Sequence, residues 1–121
     1  MYYGFSASGL EKMYVKGSLK TQEGGFVFQI KNLIDSGELA GVSKVTADGA
    51  ERSLEGVTVE LGGKIRPVSG ISWSAPLYVY YGAVLTIFVP GAIEPGEHAL
   101  GLTVSAQELG QLAVTFTDTL A

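Results

Sequence analysis

One stretch of the chain, PGAIEPGEHAL at residues 90–100, brings the only histidine, His98, together with two carboxylates, Glu94 and Glu97. An imidazole that titrates near neutral pH, beside two oxygen donors, is the raw material of an acid–base pair or a zinc site. The spacing works against both. Glu97 and His98 are adjacent, so on an extended strand they project to opposite faces, and Pro95-Gly96 puts a turn between Glu94 and the other two. The chain has no cysteine, which removes thiolate ligation, a thiol nucleophile and a disulfide framework together. No Gly-x-Ser-x-Gly elbow accompanies His98, Ser8-Gly9 and Ser69-Gly70 stand in loop contexts, and the paired glycines lack the lysine and the strand-to-helix setting of a phosphate loop. No catalytic residue and no metal ligand is therefore assigned to this chain.

The same stretch fits a structural pattern better. An apolar residue (Ile93), then Glu94, Pro95, Gly96, Glu97 and a ring at His98, ahead of an alternating strand, resembles the tyrosine corner of β-sandwiches, in which a ring at a strand start bonds backbone a few residues upstream. Pro95, Gly96 and His98 are expected to form this corner. One ring nitrogen should donate to a carbonyl near Ile93 or Pro95, leaving the other for solvent or a partner subunit.

A second candidate group is aromatic. Trp73, Tyr78, Tyr80 and Tyr81 could stack on sugar rings, meet a partner subunit or fill the core, and pattern alone leaves all three open. Tyr2 and Tyr3, with Met1 and Phe5, make an unusually aromatic terminus, as expected of a segment that docks on this domain or on a partner. Among the carboxylates, Asp48 reads as a turn residue. Asp118 falls on the inner face of the last strand, where it would need a partner such as Arg52 or Arg66.

The elements that must position these residues read as strands. Runs punctuated by Gly, Pro, Asp and Asn recur every ~8–15 residues, and no window keeps a helical apolar period. The expected strands cover 13–19, 26–31, 41–47 into an Asp48-Gly49 turn, 57–65 around a Gly62-Gly63 turn, 71–82, 83–89, 97–105 and 111–120, with irregular chain at 32–41. Pro67 cannot donate to a ladder, so its segment belongs on an edge or at a bulge. The fold class is all-β, an antiparallel β-sandwich, immunoglobulin-like or related, with about eight or nine strands in one domain spanning 1–121.

Composition sets limits on partners. A formal charge of −4, with eight scattered Lys and Arg, gives no reason to approach nucleic acid or an anionic membrane. Without a long apolar run or a basic leader, a soluble cytoplasmic chain is expected.

The order of segments also suggests a family. GSLKTQEGGFVFQIKN (17–32), GVSKVTADGAE (41–51), VTVELGG (57–63), PGAIEPGEHALGLTV (90–104) and LAVTFTDTL (112–120) together resemble the small β subunit of bacterial C-glycoside deglycosylation enzymes. The resemblance implies a non-catalytic subunit of a sugar-processing lyase hetero-oligomer. Its partner would be a TIM-barrel, sugar-isomerase-like α subunit that carries a divalent metal, manganese, and cleaves the C–C bond of 3-oxo-C-glycosides. A stand-alone carbohydrate-binding module and a structural, self-associating domain are the alternatives.

Overall fold

The computed structural model describes residues 11–121. Within them the chain forms ten strands: β1 (Lys20–Gln22), β2 (Gly25–Lys31), β3 (Gly37–Ala47), β4 (Ala50–Arg52), β5 (Thr58–Leu61), β6 (Lys64–Pro67), β7 (Leu77–Val79), β8 (Val84–Pro90), β9 (Gly96–Ala106) and β10 (Gly110–Leu120). They make two antiparallel sheets, one in the order β1-β2-β8-β5-β6 and one in the order β10-β9-β3-β4, with β7 on the same free edge of β3 as β4. The molecule is a β-sandwich, as the alternation of the sequence leads one to expect.

Period-two patterning is what folds it. Along β2, Phe26, Phe28 and Ile30 point inward and pair with Val89, Ile87 and Leu85 of β8, while Val27, Gln29 and Lys31 face out. From the other sheet Val45, Leu100, Leu102, Val114 and Phe116 meet them, and the whole set is one continuous core. Burying each such side chain contributes ~1.5–3 kcal/mol, so the two inner faces hold the sheets together. The β3–β4 hairpin is fixed by local chemistry. Asp48 and Gly49 both adopt positive φ, 54° and 83°, the conformation a tight two-residue turn between β3 and β4 demands.

Three segments differ from expectation, each for a physical reason. Residues 13–19 are not a strand: Glu11–Met13 make a short 3₁₀ turn, Tyr14 forms a single bridge to Ile30, and Gly17 at φ 86° turns the chain before β1. Met13 and Tyr14 are buried as consecutive residues, which an alternating strand does not allow. Residues 37–41, expected to be irregular, open the long strand β3, because both of its edges find partners there, β7 on one side and β9 on the other. Two register shifts against β9, at Leu39/Gly41 and Val42/Lys44, accommodate consecutive buried residues Leu39 and Ala40. Residues 71–76 stay out of the ladder, since Arg66 donates to the carbonyls of Gly70, Ala75 and Pro76. Pro67 ends β6, the outermost strand of its sheet, where a missing N–H costs no pairing. The terminal aromatics Tyr2, Tyr3 and Phe5 lie outside the described residues.

Candidate functional site

His98 enters at the start of β9, directly opposite Asp118 of β10, and is 8% exposed. Its Nε2–H donates to the Glu94 carbonyl at 2.5 Å, four residues upstream and across the Pro95-Gly96 turn. Gly96 takes φ 120°, a conformation that glycine supplies without strain. The second nitrogen is taken up within the chain itself. Nδ1 lies 2.6 Å from the Asp48 carboxylate, whose other oxygen accepts the Ala99 N–H at 2.9 Å. The turn residue of the β3–β4 hairpin is thus also the counter-ion of the corner.

The electrostatics follow from this geometry. A carbonyl and a carboxylate both accept, so both ring nitrogens act as donors and the imidazolium is the favoured form. The Glu94 carbonyl, followed by Asp48, pushes the His98 pKa up, and His98 in turn, with the Ala99 amide, holds Asp48 below the usual carboxylate range. With both nitrogens engaged by Asp48 and the Glu94 carbonyl and the ring buried, neither nitrogen is turned toward a substrate or a metal. Glu94 contributes only its backbone carbonyl, and Glu97 faces outward opposite Thr119. Among the described residues no group of three or more His, Asp or Glu is placed to hold a metal ion.

Asp118 has a different partner from the arginines expected. The Tyr14 hydroxyl donates to it, Gly17 N–H adds a bond at 2.9 Å, and its other oxygen accepts Thr119 N–H at 2.7 Å. Burial alone would raise the Asp118 pKa, but these donors outweigh it and hold the carboxyl low; burial and Asp118 together push the Tyr14 hydroxyl up. Tyr14 also stacks on Phe116, with ring centroids 3.7 Å apart. The arginines serve the backbone instead. Arg52 lies over the Phe26 ring and donates to the carbonyls of Pro90 and Ala92, which ties the loop before the corner, and Arg66 ties the 70–76 segment. Neither pairing carries a local signal: His98 and Asp48 are 50 residues apart, Tyr14 and Asp118 are 104 apart.

The aromatic group lies on the surface. Trp73, Tyr78, Tyr80 and Tyr81 are each more than half exposed, at 64, 56, 52 and 59%. Tyr78 sits on β7 opposite Glu38, Tyr81 N–H donates to the Ser36 hydroxyl, and the Trp73 carbonyl accepts from the Gln107 side chain. The four residues therefore gather where β7 and the loops beside it meet the start of β3 and the end of β9. They lie apart from the His98 corner, near the opposite end of β9.

Among curated proteins none matches the chain. A family model described as hydroxymethylglutaryl-CoA reductase, N-terminal domain, does match, over residues 10–121. It overturns the resemblance to the C-glycoside deglycosidase β subunit, and with it the lyase function, the TIM-barrel α subunit as partner, and the alternatives of a carbohydrate-binding module or self-associating domain. The manganese ion implied for that barrel subunit has no further support. The misleading elements were the Pro-Gly-x-His corner and the Asp-Gly turn, which solve problems common to β-sandwiches and so recur without kinship. With the match spanning nearly its whole length, the chain belongs to the family of hydroxymethylglutaryl-CoA reductase N-terminal domains.

Proposed function

We propose that this β-sandwich is a non-catalytic domain of a hydroxymethylglutaryl-CoA reductase, and that it meets the reductase's catalytic part through the surface of Trp73, Tyr78, Tyr80 and Tyr81. The observation that carries the reading is the family match over residues 10–121. Two features support it. The only histidine has both ring nitrogens held as a structural pin, and Trp73, Tyr78, Tyr80 and Tyr81 are each more than half exposed, a composition enriched where proteins meet. No helix among the described residues is long and apolar enough to cross a membrane. A cytoplasmic setting belongs to the reading, and a cysteine-free fold that stands on its core alone suits it.

The test uses the full chain and the catalytic region of a hydroxymethylglutaryl-CoA reductase from the same organism. The chain alone should leave hydroxymethylglutaryl-CoA unchanged and should co-elute with the catalytic region in size-exclusion chromatography. Trp73→Ala with Tyr78→Ala should weaken that association by ~10-fold or more, in keeping with the loss of two aromatic anchors. Turnover of hydroxymethylglutaryl-CoA by the isolated chain, or separate elution of the two proteins, would overturn the proposal.

A further inference from the structure

Between the two sheets a cleft of about 600 Å³ opens beside β7, independent of the His98 corner. Its walls are aliphatic: Ile30 and Leu85 come from one sheet, and Leu39, Leu102, Val104 and Leu112 from the other. The volume lies in the range of small-molecule sites, roughly 300–1,000 Å³, which are mostly apolar with a few polar groups at defined points. Here the charged groups among the described lining residues carry one sign. Asp35, Glu38 and Glu108 line it and all three are exposed, while none of the described lining residues is Lys, Arg or His. Gln107 N–H donates to the Glu38 carbonyl at 3.0 Å, which brings the β9 end carrying Glu108 against the β3 start carrying Glu38.

None of these three carboxylates forms an ion pair among the described residues. Three like charges around one apolar opening repel any anion and attract a cation, most strongly at low ionic strength. A molecule bearing phosphates and carboxylates, such as hydroxymethylglutaryl-CoA, is the wrong charge for this mouth. Tyr78, whose exposed ring lines the same opening, adds a face on which an ammonium group gains further attraction.

We infer that this cleft binds a cationic amphiphile, a single aliphatic chain seated between the sheets with its ammonium head at Asp35, Glu38 and Glu108. This site does not depend on the reductase reading, since it rests on the cleft and its charges alone. The uncharged fluorophore N-phenyl-1-naphthylamine, bound to the full chain, reports occupancy, and decyltrimethylammonium, decanol and decanoate compete for it below their micelle concentrations. The ammonium should displace the fluorophore at about tenfold lower concentration than decanol, with decanoate weakest, and added salt should narrow the difference. Glu38→Gln with Glu108→Gln, both on the surface, should bring the ammonium down to the level of decanol. Val104→Trp, filling the cleft, should abolish saturable binding of the fluorophore; Ala106→Phe replaces it if circular dichroism shows that Val104→Trp does not fold. Failure of the fluorophore to bind saturably, equal potency of the three competitors, or an ammonium preference that survives the double Gln variant would overturn the assignment.

Discussion

His98 shows how a single residue can be drawn out of chemistry by its surroundings. Its two hydrogen bonds join the strand start at Glu94 to the hairpin at Asp48, so one ring fastens two turns that the chain separates by 50 residues. Because the His98 pKa is raised in the folded protein, its stabilising contribution is complete below the unfolded value near 6.5 and is lost as pH rises through the raised folded value. Asp48 is shifted down, so its contribution is complete above the ordinary value of 3.8 and is lost as pH falls through the lowered one. Thermal unfolding followed across pH 4–9 should therefore show a plateau between about pH 4 and 6.5 and a decline above it. In His98→Gln the alkaline decline should disappear and the melting temperature at pH 5.5 should be lower than wild type. An unchanged alkaline limb in that variant would remove the ion pair from the account. Tyr14 makes the second such tie. Tyr14→Phe keeps the stack on Phe116 and removes only the bond to Asp118, and should cost ~1–2 kcal/mol in urea unfolding, less than Tyr14→Ala, which also loses the stack.

At the scale of elements, alternation and turn chemistry decide most of what forms. β2, β8 and β10 follow the pattern of the sequence closely, because each keeps one face toward the core along its length. The segment before β1 and the start of β3 do not. Their state depends on which strands lie beside them, information that a local window does not hold. The β2–β8 pair also contains a steric constraint at Gly25, which pairs with Pro90. A Cβ placed there would stand 2.1 Å from the Val89 carbonyl oxygen and 2.9 Å from Pro90 Cα, both backbone atoms that cannot swing aside. Gly25→Ala should therefore destabilise by ~1–3 kcal/mol, while Gly37→Ala, with open space around its Cβ, should stay within ~0.5 kcal/mol of wild type. Equal stabilities for the two variants would show that the β2–β8 pair relaxes at its end.

For the whole molecule, stability rests on the apolar layer between the sheets and on no covalent staple. Phe28 is fully buried and lies within reach of both Tyr14 and Phe116. Phe28→Ala should cost ~3–5 kcal/mol, a large share of the 5–15 kcal/mol typical of a domain, and the loss should appear as a lower urea midpoint with little change in slope. The same layer opens into the cleft beside β7, so the aromatic surface and the cleft mouth share one end of the sandwich. A ligand in the cleft would therefore sit next to the proposed contact surface, with Tyr78 belonging to both.

By itself the sequence determined the inward and outward faces of the long strands and the Asp48-Gly49 turn, because both follow from residues close together along the chain. It also located the corner at Pro95, Gly96 and His98. Tertiary structure alone decided that Asp48 would be the counter-ion of His98, that Tyr14 rather than an arginine would meet Asp118, that Trp73 and the three tyrosines would face outward, and that a cleft would open with Asp35, Glu38 and Glu108 as its charged lining residues. The reason is the range of the interactions. Apolar alternation needs only a core on one side, whereas the partner of a polar group is set by strand order and register, which bring together positions 50 and 104 residues apart.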